Sequence, residues 1–338
     1  MKLLAIESSC DETSAAVMVD GVLKSNIIST QLIHTEWGGV VPELASRAHQ
    51  KSIIPVVTEA LQKANINKNE LNAIAFTRGP GLLGALLIGT SFAKSLALSL
   101  NIPLIEVNHM QAHVLAHFIE NPKPSFPFLC LTVSGGHTQL VWVKSALDME
   151  VIGETQDDAV GEAFDKTAKM LGLPYPGGPQ IDRLARGGNP TAFNLPQGLR
   201  HSGYFSFSFS GLKTAVRYTL DALPNPLSAP MQADMCASIQ AAIVGVLVSK
   251  TMAAAAHPDY VSGPGAAFGG RALAPLAFDG RLLGKDFARV RPPRPEFMGL
   301  GGMMVPRADL DALLVMLCAS ESHFINGAVI AADDGFGV

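Results

Sequence analysis

The chain has 338 residues, of which 48% are apolar and 16% charged, with a formal net charge of −4. That length accommodates two domains with sizeable cores, and the weak negative charge excludes a global basic field for nucleic acid, so any RNA contact must come from a local patch or a partner. Cys10, Cys130, Cys236 and Cys318 lie far apart without a Cys-x-x-Cys pair, which excludes a zinc knuckle or disulfide framework and fits a reducing, cytoplasmic setting.

The N-terminus, MKLLAIESSCDET, turns acidic after six residues, unlike a signal peptide. LLAIESS reads as a short buried strand. SAAVMVDG reads as a second strand closing on an Asp-Gly turn, and GVLKSNIIST as a third. VVPELASRAHQKSIIPVVTEALQKANI has helical period, with Ile53, Ile54, Val57 and Leu61 on its apolar face. AIAFTRGPG is a strand entering a glycine-proline turn, LLGALLIGTSFAKSLALSL a helix leaving it, and IPLIEVNH a further strand. The run GLLGALLIGTSFAKSLALSL is interrupted by glycines, Thr90, Ser91 and Lys94, and no membrane span is expected. The plan then repeats: FPFLCLTVSGGHTQLVWVKS gives two strands around a Ser-Gly-Gly-His turn, EVIGETQ a third, and DDAVGEAFDKTAKMLGL a helix with Asp157 or Asp158 near its N-cap. Two copies of a β-β-β-α-β-α plan around a central cleft suit the actin and sugar-kinase class of folds, although periodicity alone supports only two α/β domains.

NHMQAHVLAH places His109, His113 and His117 four residues apart, one helical turn each. Two such imidazoles can reach one cation at about 2.0–2.1 Å, but the same spacing occurs on solvated helices. Asp11 and Glu12, in the turn after the first strand, can position a metal, a water or a phosphate-bound cation, or simply be a solvated turn. Gly79, Gly81 and Gly84 precede a helix, where backbone N–H groups can meet an anion; a tight strand-to-helix turn explains them equally well. Val133 to His137 (Val133, Ser134, Gly135, Gly136, His137) form a glycine turn able to wrap a phosphate. Asp165 and Lys166 lie inside the following helix, and Asp182 one turn into the next, behind the rigid Pro-Gly-Gly-Pro turn with Gly178. A carboxylate so placed can accept ribose hydroxyls; otherwise it is a surface aspartate. FSFSFSGLKTAV alternates as a half-exposed strand would, then breaks into a helix carrying Lys213.

Taken together, IESSCDET, GGVVPELASRAH, TRGPGLLGALLIG, NHMQAH, VSGGHTQL, DDAVGEAFDKTAKMLGLPYPGGP and FSFSGLKTA resemble, in consistent order over about the first 250 residues, the tRNA threonylcarbamoyladenosine synthase family of the bacterial TsaD type, once called O-sialoglycoprotein endopeptidase. The resemblance implies an actin-like, sugar-kinase-like (ASKHA) pair of duplicated RNase H-like domains. The first covers residues 1–107, to which the family adds a C-terminal segment (306–338 here), and the second covers 108–305. It implies a transferase that moves the threonylcarbamoyl group from threonylcarbamoyl-AMP to the exocyclic amine of the adenosine next to the tRNA anticodon, releasing AMP. His109 and His113 would bind one divalent metal, iron or else zinc, while His117 is read as helix surface. Asp11 and Glu12 would be catalytic. Val133 to His137, Asp165, Gly178 and Asp182 would hold the donor. The implied partners are tRNA, an inactive paralogue and a small ATPase, with no membrane; self-pairing as a homodimer is left open.

The C-terminal third departs from the family pattern. Gly270 stands at the family's asparagine that touches the nucleotide, and Leu300 where the aspartate that is the third metal ligand belongs. The last residues, ALLVMLCASESHFINGAVIAADDGFGV, resemble the final strand and helix of short-chain dehydrogenases, yet the chain has neither their glycine-rich cofactor turn nor a Tyr-x-x-x-Lys pair. Three alternatives are weighed against the transferase. A non-catalytic partner of the same fold is favoured by Leu300. A metalloprotease is opposed by the missing Glu of His-Glu-x-x-His. A sugar kinase is allowed by the fold.

Overall fold

A computed structural model describes residues 1–31, 33–34, 39–119 and 124–261, with strand backbone at 298–299, 302–303 and 330–333. Gly270 and Leu300 lie outside the described residues. The chain divides into two compact units, Met1–His113 and Val114–Val338. The division falls inside the histidine segment, where the sequence reading put it before Asn108.

The first unit contains β1 (Lys2–Glu7), β2 (Glu12–Val19), β3 (Val22–Thr30), α1 (Pro42–Ala64), β4 (Ala73–Gly79), α2 (Leu83–Leu100) and β5 (Leu104–Asn108). The sheet order is β3-β2-β1-β4-β5. β1, β2 and β3 are antiparallel because short turns can join them: the four-residue turn Ser8–Asp11 links β1 to β2, and Asp20 and Gly21 link β2 to β3, both with positive φ, 51° and 78°, as a primed hairpin turn requires. β4 and β5 run parallel to β1, which needs the long crossovers supplied by α1 and α2. Leu4, Ile6, Val17, Ile53, Ile74 and Phe76 form the centre of this core. Ile54, expected on the apolar face of α1, is 62% exposed. It lies about 100° round the helix from Ile53, and the buried stripe continues through Val56, Val57 and Ala60 instead.

Helix α2 buries Ala85, Gly89, Ala93 and Ala97, a stripe of small residues at four-residue spacing. A Cβ at Gly89 would stand 2.3 Å from Ser8 Oγ, and one at Gly84 2.3 Å from Ser46 Oγ, so these glycines set how closely α2 approaches its neighbours. α1 and α2 both end on left-handed asparagines, Asn65 and Asn101.

In the second unit, β6 (Phe128–Ser134), β7 (Thr138–Ser145), β8 (Asp148–Glu154) and β11 (Ile330–Asp333) form a sheet in the order β11-β6-β7-β8. β6, β7 and β8 are antiparallel and β11 is parallel to β6, which repeats the plan of β1 to β4. α3 (His109–Leu115) begins directly after β5. α4 (Val160–Met170), α5 (Gly177–Ala185), α6 (Ser210–Asp221), α7 (Ala229–Ala255) and the short α8 (Pro258–Val261) follow the second sheet's hairpins, and β9 (Met298–Gly299) pairs with β10 (Gly302–Met303). FSFSFS is not a strand. Phe207 makes one parallel bridge to Thr155, and Phe207 and Phe209 are buried, so the alternation records a core-facing loop.

Contrary to the sequence reading, two helices among the described residues, α2 and α7, are long and apolar enough by length and composition alone to cross a membrane. One lysine and scattered small polar residues do not offset the leucines of α2. α7 contributes Met235, Ile239, Ile243 and Leu247 to the core of the second unit, and α2 lays its small-residue stripe on the first sheet.

Candidate functional site

In the first unit the histidine segment meets the end of β1. Asn108 Oδ1 accepts from Gln111 N–H at 3.1 Å, tying the start of α3 to the end of β5. His109 is 6% exposed, and its Nε2 lies 3.0 Å from His113 Nε2, the two rings edge to face. On its other side His109 Nδ1 lies 3.2 Å from Glu7 Oε2 and 3.3 Å from Ser9 Oγ. A carboxylate only accepts, so Nδ1 carries the ring proton and Nε2 keeps its lone pair. Glu7 is itself fixed, receiving hydrogen bonds from Ser9 N–H and Thr77 Oγ1. Burial pushes the Glu7 carboxyl up, but the hydrogen bond from His109, with those from Ser9 and Thr77, outweighs it and holds it below its ordinary value.

This donor set fits a divalent cation. Two imidazole nitrogens converge on one point, and a carboxylate behind the first fixes the tautomer a metal ligand needs. Among the described residues no group of three or more His, Cys, Asp or Glu side chains converges as a complete metal site, so a cation here would draw its remaining ligands from water, substrate or residues outside them. His117 is not helix surface as the spacing suggested; it is 4% exposed. α3 ends at Leu115 and tightens into a 3-10 turn over Ala116–Phe118. Each residue there advances about 120° rather than 100°, so His117 leaves the face shared by His109 and His113.

The turn from Ser8 to Asp11 lies beside these histidines through Ser9. Asp11 sits at its end, 9% exposed. Glu12 opens β2 and accepts from Thr30 Oγ1 on β3 at 2.9 Å, so the two adjacent carboxylates have different surroundings. The glycine turn after β4 packs on this turn: Leu82 N–H donates to Ser9 O at 2.7 Å, and a Cβ at Gly81 would stand 2.6 Å from that oxygen. Of the two readings of TRGPG, the tight strand-to-helix turn is the one these contacts support.

In the second unit Val133 is buried in β6, and the glycine turn closes on itself. Ser134 N–H donates to His137 O at 2.8 Å, and His137 N–H to Ser134 Oγ at 2.9 Å. The first turn of α4 lies against it: a Cβ at Gly161 would stand 2.7 Å from Gly135 Cα, and Val160 N–H donates to Thr138 Oγ1 at 3.0 Å. Gly135 and Gly136 thus lie at the electropositive end of a helix. Four residues on, along the same face, Asp165 Oδ1 accepts from Gly177 N–H at 2.6 Å, with Gly178 N–H also bonded to this carboxylate. Burial, partly offset by those two N–H groups and reinforced by Glu162, pushes the Asp165 carboxyl up to about 6. Asp182, buried on α5, accepts from Arg186 at 3.0 Å and Gln240 at 3.1 Å.

The structure therefore brings the glycine turn, Asp165, Gly178 and the start of α5 together along one face of α4. Asp157 and Asp158 do not cap α4, whose N-cap is Ala159. Asp157 instead accepts from Phe209 N–H (2.7 Å), Ser210 N–H (3.1 Å) and the hydroxyls of Ser208 (2.6 Å) and Ser210 (2.7 Å), capping α6. Asp158 pairs with Lys166 at 2.9 Å and Lys213 at 3.6 Å. Sequence reasoning missed Glu7, Ser9 and Thr77, and no local signal links Glu7 to a histidine 102 positions away.

The family model described as tRNA N6-adenosine threonylcarbamoyltransferase (TsaD) matches residues 21–306. A protein of that name from Cytophaga hutchinsonii is 62% identical over 251 residues, 73% of each chain. Another from Christiangramia forsetii is 60% identical over 257 residues, 74% of this chain and 75% of the relative. Distant likenesses among solved structures include the ROK hexokinase of Thermus thermophilus (15% identity, TM-score 0.36, 71% of this chain and 97% of that one) and HypF of T. kodakarensis (12%, 0.46, 74% and 39%). The duplicated sheet plan is that of the actin-like, sugar-kinase-like folds, and the chain belongs to the tRNA N6-adenosine threonylcarbamoyltransferase family.

Proposed function

We propose that this chain transfers the threonylcarbamoyl group of threonylcarbamoyl-AMP to the exocyclic amine of the adenosine adjacent to the tRNA anticodon. The new bond joins that nitrogen to the carbamoyl carbon, the carbon–phosphate-oxygen bond breaks, AMP leaves with the electron pair, and the amine loses one proton. The observation that carries this reading is the pair of Nε2 atoms 3.0 Å apart on His109 and His113, backed by Glu7, in a member of this family.

His109 and His113 would hold one divalent ion, iron or zinc, which supplies Lewis acidity and a template for the donor. Glu7 keeps His109 in the binding tautomer. Asp11 meets the reacting amine and accepts its proton, with Glu12 beside it shaping the turn. Gly135 and Gly136, between Ser134 and His137 and against the start of α4, offer N–H groups and a helix end to the donor's phosphate. Each carboxylate oxygen accepts more than one donor, so Asp165 and Asp182 can receive ribose hydroxyls while keeping their protein partners. Gly178, whose N–H bonds the Asp165 carboxylate, belongs to the same cradle. The tRNA, a non-catalytic paralogue and a small ATPase are the proposed partners; a helper of this kind would offset the chain's net charge of −4. The buried thiols of Cys10, Cys130 and Cys236 suit a cytoplasmic setting.

The test is elemental analysis of the purified protein beside a His109→Ala, His113→Ala double variant, followed by reconstituted tRNA modification. About one iron or zinc per chain, absent from the variant together with turnover, is expected. Full turnover by a metal-free protein overturns the metal assignment. Because Leu300 replaces the family's third ligand, the second reading is a non-catalytic partner, and it gains if the chain binds threonylcarbamoyl-AMP yet never modifies tRNA.

A further inference from the structure

We propose that His49, which no step of the transfer uses, is a positioning residue that sets the geometry of the Ser8–Asp11 turn and acts through Asp11. The proposal rests on the role given to Asp11 above. His49 lies on α1 and is 0% exposed. Its Nε2 is 2.8 Å from Cys10 O and its Nδ1 2.7 Å from Thr13 Oγ1. A carbonyl oxygen only accepts, so Nε2 carries the proton. In the neutral ring, Nδ1 then accepts from the Thr13 hydroxyl. Burial pushes the imidazole down from its ordinary value, favouring this neutral form. One ring therefore grips the residue before Asp11 and the residue after Glu12.

The rest of the turn shows why this grip matters. Ser9 O accepts from Leu82 N–H at 2.7 Å, and Asp11 O from Gln31 N–H at 3.1 Å. Ser8 Oγ donates to Ala85 O at 3.0 Å. Three successive carbonyls, those of Ser9, Cys10 and Asp11, thus receive donors from the start of α2, from α1 and from the end of β3. Two of these donors are backbone amides. The third is the His49 side chain, the one of the three that a substitution can remove. Without it the Cys10 carbonyl loses this donor, and the peptide that carries Asp11 is held less firmly between its neighbours. A displacement of about 1 Å in a reacting group costs on the order of 100-fold in rate while leaving binding of the remainder of the substrate intact.

The experiment uses the full chain with its helper proteins and tRNA, under single-turnover conditions, and compares His49→Phe, His49→Gln, Asp11→Asn and the His49→Phe, Asp11→Asn double variant. His49→Phe removes both bonds and is expected to lower the rate constant about 100-fold at an unchanged KM for threonylcarbamoyl-AMP. His49→Gln restores an N–H near the Nε2 position and should recover most of that loss. The double variant should be no slower than Asp11→Asn alone. Unchanged turnover in a folded His49→Phe overturns the proposal, and so does a double variant whose loss is the product of the two single losses. If His49→Phe does not fold, Thr13→Val, which removes only the hydroxyl donor, carries the same comparison. Full activity in Asp11→Asn beside a slow His49→Phe refutes the role of Asp11 itself, whereas an inactive Asp11→Asn beside a fully active His49→Phe refutes only the positioning.

Discussion

Replacing Asp165 by Asn should raise the stability of the protein at neutral pH and leave it unchanged near pH 4. The ordinary value for this carboxyl is 3.8 and the folded protein holds it at about 6, a rise of roughly two units, caused first by burial. At about 1.36 kcal/mol per unit, the ionised form in the fold is disfavoured by about 3 kcal/mol relative to the unfolded chain. The sign follows from proton binding. Between pH 4 and 6 the folded chain keeps this proton and the unfolded chain releases it, so the contribution is fully present below about pH 3.8 and is lost as pH rises through about 6. Asn keeps an oxygen for Gly177 N–H, 2.6 Å away in the native protein, but has no charge to desolvate. Urea titrations of both proteins between pH 4 and 7.5 should therefore diverge, the variant gaining about 2–3 kcal/mol at the upper end. Parallel pH profiles, or a variant that weakens as pH rises, would refute the reasoning. A carboxylate retained at that cost to stability is understandable if the charge serves ligand binding, and the same variant should bind threonylcarbamoyl-AMP more weakly.

Glu7→Gln should weaken metal binding about 10- to 100-fold by releasing the His109 tautomer, measured by competition with a chelator; unchanged affinity would remove Glu7 from that role. Gly81→Ala should destabilise the protein by about 1–3 kcal/mol, because φ is +154° and the new Cβ would stand 2.6 Å from Ser9 O; a loss under about 0.5 kcal/mol in urea would show that the turn relaxes freely. Asp157→Ala should cost about 1–2 kcal/mol by stripping the cap from α6, with Asp157→Asn recovering part of it, and equal stability of all three proteins would contradict the cap.

Much of the scaffold could be read in the chain because its signals are local. The Asp20–Gly21 and Ser134–His137 turns mark hairpins, and helical period marks α1 and α4. α7 escaped because it is apolar on all sides and shows no period, as a helix buried in a core will. FSFSFS misled because alternation reports which side chains are buried, and two of its three serines, Ser208 and Ser210, bond Asp157 instead of facing solvent. The histidine pair was legible from four-residue spacing, but His117 was misplaced where the helix tightened. Glu7 and His49 could not be found at all: their partners arrive through sheet pairing and helix packing, and nothing in VPELASRAH says which carbonyl its histidine will meet.

The two hairpin turns at the ends of β2 also differ in what an engineer could do with them. At Gly21 an added Cβ would meet nothing within 4 Å, and the nearby ion pair between the Met1 amine and Asp20 is exposed, the kind of contact that contributes little. A reporter peptide or affinity handle inserted between Asp20 and Gly21 would extend a loop tip into solvent, where insertions are best tolerated. One extra residue between Ser8 and Asp11 would put three carbonyls out of step with three donors on separate elements. Insertion scanning along the first sheet should accordingly give functional clones at one end of β2 and none at the other.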